Sequence, residues 1–318
     1  MAATDITASS MQAGLARQRL EAVSPRYGEK AIKGFLFFCA ALSVAVTTAI
    51  VLSLLGPTID FFREVPIADF LFGTAWAPAF ADASFGVVPI VLGTANIVFW
   101  ALVVAIPVGL ASAIYLSEFA PTRVRKVIKP MLEVLEGIPT VAIGLFALAF
   151  LRPLAEDAVP FLDWRTPFSI GVAGVAVGLL IVPLVASVSD DAMRSVPGGL
   201  REGAYALGAS KLRVSLRVVF PAAISGVVAG IVLAISRAIG ETMVVLLVAG
   251  GTPRINFRPD EGMLAITGYI GQTATGDIAT GTIEYDTIFA VGSLLFVMTL
   301  VMNLFAIRLV RRFREVYE

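Results

Sequence analysis

The chain has no histidine, a single cysteine (Cys39), and charged side chains on only 15% of its 318 residues. Without histidine there is no imidazole to work as an acid or base near neutral pH. One cysteine closes no disulfide, and the two shortages together exclude Cys/His metal sets. No nucleophile-base pair or metal-ligand set stands in the apolar stretches either, which leaves an intramembrane enzyme with little support. The 24 basic and 24 acidic residues cancel, so no overall field draws nucleic acid or an acidic partner. What fills the chain is apolar: 58% hydrophobic residues and a mean hydropathy of +0.88 place it in lipid as an all-α integral membrane protein.

Residues 1–30 are rich in Ala, Ser, Thr, Gln and Arg and lack the apolar core of a cleaved signal peptide, so they read as a flexible cytoplasmic tail ahead of a domain over 31–318. Six apolar stretches follow, at 35–55, 87–116, 131–151, 168–189, 218–250 and 287–307. At about 1.5 Å per residue each is long enough to cross a hydrocarbon layer of about 30 Å. The third carries Glu133 and Glu136 in its first two turns, so its apolar part begins at Gly137. The second and fifth exceed a simple crossing, and Pro107 and Gly240 are the places for a bend.

Orientation follows from lysine and arginine. With the N-terminus inside, internal segments hold eighteen of them: Arg17, Arg19, Arg26, Lys30, Lys33, Arg123, Arg125, Lys126, Lys129, Arg194, Arg201, Lys211, Arg213, Arg217, Arg308, Arg311, Arg312 and Arg314. External segments hold five: Arg63, Arg152, Arg165, Arg254 and Arg258. The positive-inside rule then puts both termini in the cytoplasm. Gly174 and Gly178, and Gly226 and Gly230, have the small-xxx-small spacing that lets helices approach closely, within the bundle or across a dimer seam.

Two polar constellations interrupt the apolar pattern. The first is the loop at 190–221, on the cytoplasmic side. Pro197-Gly198-Gly199 makes a turn, a short helix runs from about Leu200 to Leu207 with Gly208 as its stop, and a basic stretch leads on to Phe220-Pro221. On its residues alone this is either a docking knob or a solvated loop anchored by positive charge. It is no nucleotide site: the nearest approach to a phosphate-binding Gly-x-x-x-x-Gly-Lys-Ser/Thr spans Gly203 to Ser210, with Ala209 where the lysine is required. The second is Ser236-Arg237-Ala238-Ile239-Gly240-Glu241-Thr242-Met243, inside the fifth stretch. A charge at the bilayer centre costs about 2.5–3.5 kcal/mol on insertion scales, so neither charge faces lipid. Arg237 and Glu241 stand four apart and can meet on one helix face, as a structural ion pair or as an anion contact and its counter-charge on a transport path. With Ser236, Thr242 and Thr140 they form the candidate pathway or gate.

Glu202-Gly203-Ala204, Gly208 six positions after the glutamate, and Val218-x-Phe220-Pro221 resemble the EAA loop of ABC-importer permeases, a pattern of Glu-Ala-Ala, three residues, Gly, nine residues, Ile-x-Leu-Pro. Gly203, Val218 and Phe220 are mild departures from it. The resemblance implies a type I ABC importer (MetI-like) transmembrane domain. In it Glu202, Gly203, Ala204 and Gly208 would sit on a coupling helix that docks on a cytoplasmic ATPase subunit.

Arg237-Ala238-Ile239-Gly240-Glu241-Thr242-Met243 narrows the likeness to the membrane subunits of the high-affinity phosphate importer, and its Thr-Met ending to the PstC type. Phe70 to Pro78, Tyr115 to Pro121 and Gly137 to Thr140 agree, although the pattern has Ser at 140 and a small residue at 136. The implied partners are a PstA-like permease subunit, two PstB-like ATPase subunits that bind ATP and Mg, and an external PstS-like phosphate-binding protein. They would assemble in the cell membrane, with no cofactor in this chain. The remaining expectations are a permease for another oxyanion such as molybdate or sulfate, and, from a different class, a channel or secondary carrier that needs no ATPase.

Overall fold

A computed structural model describes residues 27–80 and 82–313, so the expected tail lies outside the described residues except at 27–30, which already belong to the first helix. The chain divides into two compact units, Met1–Ser53 and Leu54–Glu318. Helix α1 (Tyr27–Glu64) supplies the described part of the first unit. Its apolar side chains, Phe35, Leu36, Phe37 and Phe38 among them, are exposed, as suits a helix solvated by lipid. Thr47 and Thr48 return their hydroxyls to the carbonyl oxygens of Ser43 and Val44 at 2.9 and 2.8 Å, the local solution where no water is at hand.

In the second unit the end of α1 is followed by α2 (Ile67–Phe72) and a two-stranded antiparallel hairpin, β1 (Trp76–Ala77) with β2 (Ser84–Phe85). Phe61, Phe62, Phe70 and Phe85 pack edge to face at 5.2–5.5 Å between ring centres. Phe61, Phe70 and Trp76 share a buried apolar cluster with Ile90, Leu264 and Ile266.

Helix α3 (Val88–Ile114) continues without a break through Pro107 into a π-helical turn, Tyr115–Phe119, and carries the second crossing. After it the chain departs from expectation. Helix α4 (Thr122–Leu135) stands at 90° to the segment that begins at Thr140, because Gly137-Ile138-Pro139 ends it: proline lacks the N–H that a helix needs and biases its predecessor out of the α region. The expected stretch at 131–151 is therefore divided between the end of α4 and a segment built of α5 (Thr140–Phe146), a π-turn (Ala147–Leu151) and α6 (Arg152–Ala158), which begins at Thr140. Residues 131–135 belong to α4, whose Arg125 pairs with the fully buried Asp190 at 2.6 Å and whose Lys129 pairs with Asp191.

Helix α7 (Ile170–Arg194) is the buried heart of the unit. Gly174 and Gly178 lie against Trp100, Ala101 and Val104 of α3, and a Cβ at Gly178 would stand 2.8 Å from the Ala101 carbonyl oxygen. Both glycine pairs thus pack inside the bundle. Ser169 caps α7 by accepting the Val172 N–H at 3.0 Å and donates to the Pro259 carbonyl at 2.6 Å. Near it Asp260 is fully buried and takes the Arg258 guanidinium at 2.6 Å and the Asp163 N–H at 3.2 Å. Burial pushes the Asp260 carboxyl up, but those hydrogen bonds outweigh it and hold the group below the usual carboxylate range.

Beyond α7 come α8 (Gly198–Ala206) and α9 (Lys211–Val214), then a π-turn (Ser215–Val219) and the turn Phe220–Ala222. The expected single span at 218–250 is two helices, α10 (Ile224–Ile239) and α11 (Met243–Val248). A 72° joint separates α10 from the segment before it, and residues 240–242 form the second break, at the glycine expected to bend. Gly226 and Gly230 of α10 face Ala192 and Val188 of α7. A short α12 (Ile266–Ala274) and the long α13 (Ile283–Phe313) complete the unit, with Tyr269 edge-on to Trp76 at 4.8 Å. Among the described residues four helices are long and apolar enough to cross a membrane, and up to six crossings result if each bent pair is one span. Six is also the number of apolar stretches in the sequence.

Candidate functional site

Two places carry the polar side chains singled out above. At the turn between α7 and α9, helix α8 is short because Pro197 starts it and Gly208, at φ +78°, ends it in a conformation that favours glycine. Glu202, Gly203, Tyr205 and Gly208 are exposed, and Leu207 is 91% exposed. Ala204 instead packs inward, on a small apolar cluster built from Ala113, Met193, Val196 and Val214. The helix is thus seated by one face and offers the other, with an uncovered leucine at its tip.

Its seat includes a residue that sequence reasoning left without a role. Arg201, in the first turn of α8, donates to the carbonyl oxygens of Val196 at 2.7 Å and Met193 at 2.8 Å, and through Nη2 and Nε to Glu118 Oε1 at 3.0 and 3.3 Å. The Glu118 side chain is only 5% exposed. The available signal was a lone acid in Tyr115-Leu116-Ser117-Glu118, at the end of a span and opposite a basic loop.

The second place is the break between α10 and α11. Residues 240–242 leave the helix, which removes the four-residue geometry that would have brought Arg237 and Glu241 together. Among the described residues the two form no ion pair. Glu241, buried, turns Oε1 onto the first free N–H groups of α11, those of Met243 at 3.1 Å and Val244 at 3.3 Å, and the Thr267 hydroxyl donates to its main-chain oxygen at 2.7 Å. Half-buried Arg237 donates through Nη2 to the Glu136 main-chain oxygen at 3.4 Å. That contact brings the non-helical turn after α4 beside α10 and, among the described residues, leaves the rest of the guanidinium fork without a carboxylate.

Ser236 donates to Asn303 Oδ1 at 2.8 Å, and the Thr242 hydroxyl stays local, on the Gly240 carbonyl at 3.2 Å. Thr140 opens α5, which packs on α11: a Cβ at Gly144 would meet Leu247 Cδ1 at 2.7 Å. The break therefore gathers Arg237, Glu241 and Thr242 with the 136–140 turn nearby, while Ser236 faces α13. Among the described residues no group of three or more Asp, Glu, Cys or His side chains is placed to hold a metal ion.

Residues 105–315 match the family described as binding-protein-dependent transport system inner membrane component. The chain belongs to that family. Among its relatives, the probable ABC transporter permease protein YqgH of Bacillus subtilis is 32% identical over 263 residues, covering 82% of this chain and 84% of the relative. The phosphate transport system permease protein PstC of Pasteurella multocida is 30% identical over 286 residues, covering 84% and 85%. PstC 1 of Mycobacterium tuberculosis is 32% identical over 249 residues, covering 72% and 73%.

Among solved structures, a bacterial alginate ABC transporter in complex with an alginate-bound periplasmic protein superposes with a TM-score of 0.61 at 17% identity, covering 91% of this chain and 98% of that one. The MetNI methionine ABC transporter gives 0.51 at 20% identity, covering 72% and 95%. At such identities the likeness is one of fold, and the MetI-like permease fold expected from the sequence is the fold observed.

Proposed function

We infer that this chain is a membrane-spanning permease subunit of an ATP-driven importer that carries inorganic phosphate across the cell membrane by alternating access. Relatives at 30–32% identity over most of the chain are named phosphate transport permeases, which leaves a molybdate or sulfate permease without support. Membership in a binding-protein-dependent family likewise disfavours a carrier that works without an ATPase. The observation that carries the cargo reading is Arg237. A half-buried guanidinium held by one main-chain oxygen, with no carboxylate on it among the described residues, is a planar and permanently charged donor set suited to an oxyanion.

In this reading Glu241 shapes the break that exposes Arg237, Thr242 and Thr140 border the path, and Ser236 ties α10 to α13. Helix α8 docks on a PstB-like ATPase, one of two that bind ATP and Mg, through Glu202, Gly203 and Gly208 with Ala204 as part of its seat. Its exposed face and Leu207 support that assignment. A PstA-like permease completes the membrane pore, and a PstS-like binding protein delivers phosphate to the outer segments. Both termini lie in the cytoplasm, on the lysine and arginine distribution.

The test is reconstitution of the chain with those partners in liposomes and measurement of radiolabelled phosphate uptake. Uptake should require ATP and the loaded binding protein, and excess sulfate or molybdate should not compete. Uptake without any ATPase, or equal competition by sulfate, would overturn the reading.

A further inference from the structure

Two routes lead from the exposed face of α8 to Arg237, and they differ in stiffness. The covalent route passes Gly208 at φ +78°, the four-residue α9, a π-turn and the 72° joint before α10 begins. Each of these is a place where a push is absorbed by rotation of the backbone. The second route runs through one side chain. Arg201 ties α8 to the C-terminal end of α7 through the carbonyl oxygens of Met193 and Val196, and to the π-turn that ends α3 through Glu118.

The first is a helix C-terminus, where a cation is favoured, and at the second Glu118 supplies the counter-charge. The Arg201–Glu118 pair is largely shielded, with side chains 20% and 5% exposed, so it is not an ordinary surface ion pair. Beyond it the path is close-packed: α7 lies on α3 at Gly174 and Gly178, and α10, which bears Arg237, lies on α7 at Gly226 and Gly230.

We propose that Arg201 is a positioning residue for transport, the clamp through which displacement of α8 moves α3 and α7 as one body and so reaches the break beside Arg237. The proposal rests on the importer reading and adds to it a route that runs through Glu118 and bypasses the bent joint. A clamp of this kind need not affect nucleotide hydrolysis; it decides how much of the stroke arrives.

The experiment compares the reconstituted complex with Glu118→Gln, which keeps size and polarity but removes the charge, and with Arg201→Lys, which keeps charge but loses the fork. The readout is phosphate taken up per ATP hydrolysed in the presence of loaded binding protein. Glu118→Gln should retain hydrolysis and lose about ten-fold in uptake per ATP, the scale of one hydrogen bond to a charged group. Arg201→Lys should fall between that variant and wild type. A ratio unchanged from wild type in Glu118→Gln overturns the clamp. If that variant does not assemble, an unchanged ratio in Arg201→Lys overturns it equally. A wild-type chain that brings down no ATPase is a different result, one that removes the importer reading and this inference with it.

Discussion

Arg237 reaches across the bundle to the main-chain oxygen of Glu136 at 3.4 Å, while Glu241, four positions further along the chain, turns away from it. A non-helical turn with a free carbonyl is a weak and exchangeable partner for a guanidinium, whereas a carboxylate would be a strong one. Arg237 is thus held in place without being neutralised. Arg237→Gln keeps a donor for Glu136 and removes the charge, so the complex should assemble while ATP-dependent phosphate uptake falls on the order of a hundredfold. Uptake at the wild-type rate in proteoliposomes of this variant would refute the anion contact.

Glu241 makes a separate prediction. Because Oε1 takes the Met243 and Val244 N–H groups, its first duty is to start α11 where no water can do so. Glu241→Ala leaves two donors unmet in an apolar setting and should destabilise the protein by about 1–3 kcal/mol. Glu241→Gln keeps an acceptor and should lose much less. Thermal unfolding of the two purified variants in detergent checks the order, and equal losses would point to a role for the charge itself.

The span count was legible because lipid imposes a length: a crossing must be a run of about 20 apolar residues, and such runs stand out even where a glutamate enters them. The loop at 190–221 was legible for the opposite reason, since Pro197, Gly208 and the basic residues punctuate an apolar chain. The breaks were harder to read. Hydropathy is blind to direction, so it merged the end of α4 with the segment after Pro139 and ran α10 back through the 72° joint into 218–222. The same blindness suggested an Arg237–Glu241 pair: four-residue spacing implies contact only while the helix continues, and Gly240 ends it. Glu118 was missed because its partner, Arg201, lies 83 residues away, a pairing that composition does not encode.

The contact of α3 with α7 is tested at Gly178. Any Cβ there meets the Ala101 carbonyl oxygen at 2.8 Å, with Val104 Cβ next at 3.0 Å, and main chain has no rotamer with which to give way. Gly178→Val should cost about 1–3 kcal/mol through overpacking and lower the yield of folded protein. Gly203→Ala, inside α8 at a position where an added Cβ meets nothing within 4 Å, is the matched control and should not lower the unfolding temperature of the isolated chain.

Asp260 supplies a pH dependence. Its carboxyl is fully buried yet held below the usual range by Arg258, so the folded state binds its proton less readily than the unfolded chain does. The stability it contributes is therefore complete above the ordinary aspartate value of about 3.9 and is lost as pH falls through the lower folded value. Asp260→Asn should be less stable than wild type at neutral pH, and the gap should close on acidification. Unfolding temperatures of both proteins measured from pH 7 downwards give the answer, and a gap that stays constant into acid would rule out the Asp260 ion pair as its source.

Gly208 closes α8 at φ +78°, where proline, fixed near −65°, cannot follow, and where a β-branched side chain is strained although nothing crowds it. The position lies between the exposed Leu207 and Ala209, which packs on the seat of α8, so altering it re-aims the docking face. Gly208→Pro also removes the N–H that Gly208 donates to the Tyr205 carbonyl at 2.9 Å, so it should lower the unfolding temperature modestly while the chain still folds in the membrane, and should release the ATPase on purification or uncouple its hydrolysis from uptake. Co-purification of the ATPase at wild-type yield together with undiminished phosphate uptake would show that α8 is not the docking element.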